Sequence, residues 1–366
     1  MPHILNSLRR TVLRTAKLAG AYALASHSRW RQQRLLILAY HGISQSDEHL
    51  WNPTLYMSGE CFSQRMETLK RSGCHVLSLS EALGRLYEGS LPELSVVLTF
   101  DDGAYDFYSR AYPIIESHGF PVTVYLTTYY SQFNKPVFPV NCSYLLWQAR
   151  NARLRLNPLT GEDFIADLAT ESGRAAVVRR LVEYSCRQHL SAEAKDGLAR
   201  QLSAQLGIDY ERIIGERILH IMSPCEVREL VARGVDFQLH THRHRTPADR
   251  NLFIKEIKDN RESIHGMTGQ SSVHFCYPDG EFKPQFVDWL KEAGIHSATT
   301  CCPRLATPKT NVFALPRLID TSKVSAVTFE GWVCGVSSLL ARREVNIQTG
   351  VSGPLENPLG AENISI

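Results

Sequence analysis

Seven short apolar segments, each followed by a helical pattern, constrain the fold of this 366-residue chain more than any other feature of its sequence. They read RLLILAY (34–40), SVVLTF (95–100), PVTVYLTT (121–128), VDFQL (235–239), SVHFCY (272–277), IHSATT (295–300) and FALPRLI (313–319). Alternation of such runs with helical segments predicts parallel strands joined by crossover helices. Seven strands in one series favour a closed or nearly closed α/β barrel over an open sheet.

The pattern changes between residues 131 and 222, where charge-rich, helix-forming sequence contains no apolar strand-like run. We interpret this stretch as a helical insertion on the barrel, which we expect to span residues 34–325. Residues 326–366 are predicted to be a C-terminal extension, and their last part is rich in Gly, Pro and Asn without apolar periodicity. Such a composition is typical of a flexible tail.

The N-terminal segment, residues 1–33, is basic through Arg9, Arg10, Arg14 and Lys17, and the apolar run LAGAYALAS follows. It loosely resembles a signal peptide, but Arg14 and Lys17 interrupt the apolar stretch. The uncharged run is too short to span a bilayer. We therefore expect a retained amphipathic helix, and the alternative is contact with a membrane surface through its basic face.

The overall charge is nearly balanced, with 40 Lys and Arg residues against 37 Asp and Glu residues. This balance gives no reason to expect nucleic acid binding. The nine cysteines form no CxxC pair, and their odd number argues against a disulfide framework. Such cysteine usage predicts a reducing compartment, either the cytoplasm or the inner face of a membrane.

Candidate site residues follow two of the predicted strands. Asp101 and Asp102 come directly after SVVLTF, at the strand end where barrel enzymes place their active sites. Adjacent carboxylates repel each other and call for a cation, although an Asp-Asp-Gly turn that merely ends the strand is the alternative. His240 and His244 follow VDFQL in the same way, and they can converge on one ion if the backbone turns there. Two His with one carboxylate form a common set for catalytic Zn²⁺, so a divalent metal site is predicted.

Four motifs give the chain a resemblance to a known family. They are LTFDDG (98–103), HTHRH (240–244), FCYPDG (275–280) and LPR (315–317). In this order they resemble the motifs of the NodB-homology polysaccharide deacetylases, carbohydrate esterase family 4, over roughly residues 34–320. The resemblance implies a distorted (β/α)₇ barrel and a divalent metal ion, usually zinc.

The resemblance also implies roles for individual residues. The positions that match the family's metal ligands are Asp102, His240 and His244. Asp101 matches the general base, and the backbone N–H of Asp279 matches the group that binds the oxyanion together with the metal. Tyr277 and Asp279 could line the sugar groove, although a turn role for Asp279 is the alternative.

The chain departs from the family pattern at two positions. The third motif usually begins with an Arg that orients the base, and Cys276 stands in its place. Arg317 is the candidate to orient the base instead, and a structural ion pair is the alternative. No LxxH stretch after residue 300 supplies the family's general acid, but His41 directly follows the first strand in ILAYHGIS. This order resembles the permuted branch that includes the poly-N-acetylglucosamine deacetylases, so His41 is the candidate acid unless it only makes hydrogen bonds.

Together these features predict a metal-dependent hydrolase that removes N-acetyl groups from amino sugars of a polysaccharide, such as an exopolysaccharide, or of its lipid-linked precursor. Two alternatives stay open: a deformylase or amidohydrolase for a small or lipid-linked amide, and a catalytically silent carbohydrate-binding module. A mature glycan substrate would favour the cell envelope over the cytoplasmic side. His242 alternates with the two candidate ligand histidines and is not expected to bind the metal.

Overall fold

The computed structural model describes residues 2–340 of the chain. Its strands are β1 (Leu36–Tyr40), β2 (Gly42–Ile43), β3 (Tyr56–Met57), β4 (His75–Val76), β5 (Ser95–Phe100), β6 (Thr123–Leu126), β7 (Arg153–Arg155), β8 (Ile165–Asp167), β9 (Asp236–Leu239), β10 (His274–Cys276), β11 (Ser297–Thr299) and β12 (Leu318–Ile319). One π-helical turn covers Phe107–Ala111, and 3-10 turns cover Tyr130–Gln132 and Pro278–Gly280.

The helices surround the sheet or extend from it. They are α1 (Pro2–Leu18), α2 (Ala21–Ser26), α3 (Arg29–Gln32), α4 (Glu48–Trp51), α5 (Gly59–Arg71), α6 (Leu79–Glu88), α7 (Tyr112–Ser117), α8 (Phe138–Gln148), α9 (Asn157–Thr160), α10 (Glu171–Arg187), α11 (Ala192–Leu206), α12 (Tyr210–Gly215), α13 (Pro224–Ala232), α14 (Arg250–Thr268), α15 (Phe286–Glu292), α16 (Ala326–Val333) and α17 (Val336–Leu340).

The main sheet is entirely parallel. Seven strands follow one another in the order β11-β10-β9-β6-β5-β1-β12, and β4 pairs with the start of β5. Thr299 at the end of β11 also pairs in parallel with Leu315, just before β12, so the sheet curls until its two edges meet. Each of the seven predicted apolar segments contains one of these seven strands. The predicted α/β barrel is therefore confirmed, in a distorted form.

Alternate residues of the central strands face two different cores, as the two-residue period of a strand requires. Leu38 and Leu98 belong to the core between the sheet and the outer helices, whereas Ile37 and Val97 belong to a second core that α6 also contacts. The second core collects side chains from strands all around the sheet, so it lies inside the curl. Both central strands are buried along their whole length, which explains their unbroken apolar sequence.

The stretch between residues 131 and 222 carries α8 to α12 around a separate cluster of buried side chains. It also contains an antiparallel pair, β7 with β8, that the sequence did not predict. Both strands have three residues, of which only the middle one is buried, so they carry no apolar run. That this stretch is an insertion on the barrel, and not a domain of its own, stays a prediction.

The two ends of the described chain pack against each other. Leu13 of α1 and Tyr22 of α2 form a small buried cluster with Cys334, and the Tyr22 hydroxyl donates to the Val327 carbonyl. No helix within residues 2–340 is long and apolar enough to cross a membrane. The predicted flexible tail lies outside the described residues.

Candidate active site

Most candidate site residues follow the carboxyl ends of strands in the main sheet, whereas Arg317 directly precedes β12. His41 follows β1, Asp101 and Asp102 follow β5, and His240 follows β9. Because the strands are parallel, these ends meet at one mouth of the barrel. Asp101 continues the alternation of Val97, so its side chain points into the curl of the sheet.

Asp102, His240 and His244 lie together at this mouth. The Nε2 atoms of both histidines are 3.3 Å from Oδ1 of Asp102. One nitrogen or oxygen atom from each side chain lies within 4.8 Å of the others, so the three could hold a metal ion. The structure thus brings together the three residues that the sequence proposed as ligands.

Backbone turns explain how side chains so close in sequence converge. Asp102, Thr241 and His244 have φ angles of 69°, 63° and 53°, in the left-handed region that residues other than Gly seldom adopt. The turn at Thr241 brings His244 back towards Asp102. The Nδ1 atom of His240 is 3.0 Å from the Cys276 carbonyl oxygen. That contact suits an Nδ1–H donor, which leaves Nε2 with a free lone pair facing Asp102.

The electrostatics of this cluster fit a divalent cation. Burial alone would raise the pKa of Asp102, but His244 and His240 hold it well below its usual value. Burial alone would lower the pKa of His244, whereas the Asp102 carboxylate raises it to about 9. Within residues 2–340, the buried Asp102 Oδ1 atom accepts no hydrogen bond of regular geometry. A cation placed here would supply the missing positive partner and displace the His244 proton.

A second group of possible ligand atoms fits a metal less well. Asp101, His240 and Cys276 also lie within 4.8 Å of one another and are buried. However, the Arg317 guanidinium already contacts both the Asp101 carboxylate and the Cys276 sulfur, and its charge repels a cation. Burial also raises the pKa of the Cys276 thiol well above its usual value, which disfavours the thiolate form that metals bind.

Asp101 forms a buried two-point ion pair with Arg317. Nη1 and Nη2 of Arg317 each lie 2.7 Å from a different carboxylate oxygen of Asp101. Arg317 is fully buried, and it also donates to the Thr99 hydroxyl and the Thr300 carbonyl. Burial alone would raise the pKa of Asp101, but the guanidinium holds it below its usual value. Asp101 is therefore ionised and fixed in orientation at neutral pH.

His41 lies on the other side of Asp101. Its Nε2 atom is 3.7 Å from Oδ2 of Asp101, and its side chain is partly exposed at the mouth. Its buried Nδ1 atom has no hydrogen-bond partner within the described part of the chain. The structure thus places a histidine beside the candidate base, as the sequence predicted.

Of the two remaining predicted residues, one lies at the site and the other lies in the core. Asp279 is exposed in a turn with φ of 56° and acts electrostatically on His244, so it lies at the site. Tyr277 is fully buried among Phe275, Phe282 and Phe286, and its hydroxyl donates to the Phe313 carbonyl. Its side chain therefore packs in the core, and the prediction that it lines a sugar groove is corrected. It follows β10 within a run of consecutive buried residues, 274–278, and the sequence alone does not give the direction of each side chain.

His242 lies outside the metal cluster. Its Nδ1 atom is 2.8 Å from the Thr128 hydroxyl, and its ring packs edge-on against Tyr129.

Sequence reasoning missed two residues that hold the histidine loop, Glu256 and Asn260 of α14. Both are buried, and both contact residues 240–245. A signal existed, because these polar residues occur one helical turn apart on a face that Phe253 and Ile257 mark as apolar.

Gly42, directly after His41, allows a close approach that a side chain would block. A Cβ atom there would lie 2.2 Å from the Tyr56 ring and 3.1 Å from Oδ2 of Asp106. We expect Gly42→Ala to lower the free energy of unfolding by about 1–3 kcal/mol through overpacking, measured by urea denaturation. Gly84→Ala in α6 is the matched control, since a Cβ there meets nothing within 4 Å. Equal stability of the two variants would contradict this packing.

Comparison with known proteins finds similarity to polysaccharide deacetylases. A family model described as polysaccharide deacetylase matches residues 88–148 and 201–298. Over 94 residues the chain is 33% identical to YxkH of Bacillus subtilis, which is named as a polysaccharide deacetylase. That match covers 25% of this chain, and the chain spans 32% of the length of this relative. The matched residues include the LTFDDG and HTHRH motifs, so the predicted resemblance to the polysaccharide deacetylases is confirmed.

Solved structures show that the fold is shared. The deacetylase PplD of Streptococcus pyogenes, in complex with acetate, has a TM-score of 0.52 at 20% identity, over 80% of this chain and 94% of its own. IcaB of Ammonifex degensii has a TM-score of 0.51 at 16% identity, over 83% and 97%. A de-N-acetylase of Aggregatibacter actinomycetemcomitans has a TM-score of 0.50 at 16% identity, over 82% and 99%.

Proposed function

We propose that this protein is a metal-dependent hydrolase that removes N-acetyl groups from amino sugars of a polysaccharide or of its lipid-linked precursor. The observation that carries the proposal is the meeting of Asp102, His240 and His244 beside the Arg317-bound Asp101. The match to the polysaccharide deacetylase family model supports an N-acetylated glycan as the substrate class. The similarity to the de-N-acetylase structure extends to the fold only.

Two histidines and one carboxylate suit zinc, which we propose as the metal. A bound divalent ion would lower the pKa of a water molecule bound to it and would polarise the acetamide carbonyl. In the proposed mechanism Asp101 accepts the proton of the attacking water, and its ion pair with Arg317 keeps it ionised and oriented. The backbone N–H of Asp279 donates to the oxyanion of the tetrahedral intermediate. His41 then protonates the leaving amine, and acetate departs.

The N-terminal helix supports a proposed location beside a membrane surface. Arg10, Arg14 and Lys17 are exposed on α1, and Leu18 at its end is 89% exposed. Basic residues next to exposed apolar ones suit contact with anionic lipid. We propose the cytoplasmic face of that membrane as the location.

The test of the proposed reaction is product analysis on N-acetylglucosamine oligomers. Zinc-loaded protein is expected to release acetate, and protein stripped with a chelator is expected to regain that release only when metal is returned. Formate or ammonia as the sole product would identify a deformylase or another amidohydrolase instead. Oligomer binding without any product from zinc-loaded protein would identify a silent binding module.

A further inference from the structure

The loop formed by residues 240–245 rests on two buried polar side chains of α14. Glu256 is 1% exposed and Asn260 is fully buried. They lie four residues apart, so both project from the same face of the helix. A buried carboxylate and a buried amide are costly unless their polar atoms are hydrogen-bonded, so their partners define what they do.

Glu256 binds three residues of the loop, the consecutive His242 and Arg243 and, two positions further on, Arg245. Its Oε2 atom accepts from the Arg243 backbone N–H at 2.9 Å. Its Oε1 atom accepts from Nη1 of Arg243 at 3.1 Å and from Nε of Arg245 at 2.7 Å. Its backbone carbonyl accepts from the His242 N–H at 3.2 Å. The residues on both sides of His244 are therefore attached to one carboxylate.

Asn260 fixes the start of the same loop to the neighbouring strand. Its Oδ1 atom accepts from the His240 backbone N–H at 3.0 Å. Its amide nitrogen donates to the Leu126 carbonyl and to the Thr128 hydroxyl, both at 2.9 Å. Leu126 ends β6 and His240 follows β9, and these two strands pair directly. Asn260 therefore sets where the backbone of His240 leaves the sheet.

The loop needs such support because its backbone is strained. Thr241 and His244 both adopt left-handed φ angles without being glycine. Conformations of this kind cost free energy and persist only where surrounding contacts impose them. Glu256 and Asn260 supply those contacts on the helix side of the loop, while Asp102 faces it from the barrel mouth.

We propose that Glu256 and Asn260 are positioning residues that hold His240 and His244 in the geometry for binding a divalent metal. The inference rests on the proposed metal site. Outer partners of metal ligands usually change metal affinity when they are removed, even where the fold survives. The alternative is that Glu256 only stabilises the fold, in which case metal affinity would not depend on it.

The decisive variant is Glu256→Gln, compared with Glu262→Gln on the same helix. Glu262 has a 67% exposed side chain and pairs with Lys258 across one turn, so it is a matched control. The zinc dissociation constant is measured by competition with a chromophoric chelator, and the visible spectrum of the Co²⁺-loaded protein reports ligand geometry. We expect Glu256→Gln to weaken zinc binding by ~10–100-fold and to alter the Co²⁺ spectrum, with Glu262→Gln like wild type.

Arg245→Met is the second variant, because it removes one Glu256 partner whose own side chain is 36% exposed. It should weaken zinc binding in the same direction by a smaller factor, even if Glu256→Gln fails to fold. Wild-type zinc affinity in Glu256→Gln and Arg245→Met would overturn the positioning role while leaving the metal site intact. Failure of the wild-type protein to bind zinc would instead overturn the proposed site and, with it, this inference.

Discussion

Replacing His41 by Gln is expected to lower kcat for acetamide hydrolysis by ~10²–10⁴-fold without changing the zinc content of the protein. His41 lies at the mouth with Nε2 3.7 Å from Asp101, close enough to share a reacting centre with the base. Gln has a similar length but cannot deliver a proton to a departing amine. The comparison needs kcat on N-acetylglucosamine oligomers and metal analysis of the same samples.

The nature of the leaving group separates an acid from a base. A p-nitrophenyl acetate substrate expels a phenolate that needs no proton, so His41→Gln should hydrolyse this ester nearly as well as wild type does. Asp101→Asn is the comparison variant, and it should lose activity on both the amide and the ester because the attacking water keeps its proton. Equal losses of both activities in His41→Gln would show that His41 is not the general acid.

Replacing Arg317 by Met is expected to lower the free energy of unfolding by about 3–5 kcal/mol, because it leaves the Asp101 carboxylate buried without its partner. Asp101 is 3% exposed and Arg317 is fully buried, so solvent cannot substitute for either of them. The measurement is denaturant unfolding at neutral pH. In an Asp101→Asn background the same Arg317→Met change should lower the free energy of unfolding by less, because no ionised carboxylate is left buried without a partner.

The pH dependence of that loss follows from the pKa of Asp101. In the wild-type protein the pKa of Asp101 is lowered, so the ion pair adds stability above the unfolded-state pKa and loses it as pH falls through the folded-state pKa. Without Arg317, burial raises the pKa of Asp101, and the folded variant gains a proton as pH falls. The stability gap between variant and wild type should therefore narrow from about pH 8 to about pH 5. A stability difference that stays constant or grows as pH falls would show that the variant does not bury an unpaired Asp101 carboxylate.

The barrel could be predicted from the sequence because its information is local. A buried parallel strand is an unbroken apolar run, and β1 and β5 are buried at every position. The residue that directly follows such a run lies at the carboxyl edge of the sheet, so Asp101 and His240 are expected near the barrel mouth. The backbone turns at Asp102 and Thr241 then bring Asp102 together with His240 and His244.

The interior of the site could not be predicted in the same way. The guanidinium that holds Asp101 comes from Arg317, 216 residues further along the chain, and no local pattern links them. The local sequence leaves Arg317 two possible roles, orientation of the base or a structural ion pair, and it predicts a groove position for Tyr277, whose side chain packs in the core. Direction of a single side chain after a strand depends on the turn that follows.

By itself, the sequence determined the parallel barrel and the residue types at its mouth, because strand periodicity and strand-end position are properties of short segments. Only the tertiary structure decided which groups hold those residues. Arg317 reaches Asp101 because the sheet curls until the segment before β12 meets β11, and Glu256 reaches the 240–245 loop because α14 packs beneath it. Such contacts join distant parts of the chain, and the physical reason they escape sequence reasoning is that only closure of the fold brings them together.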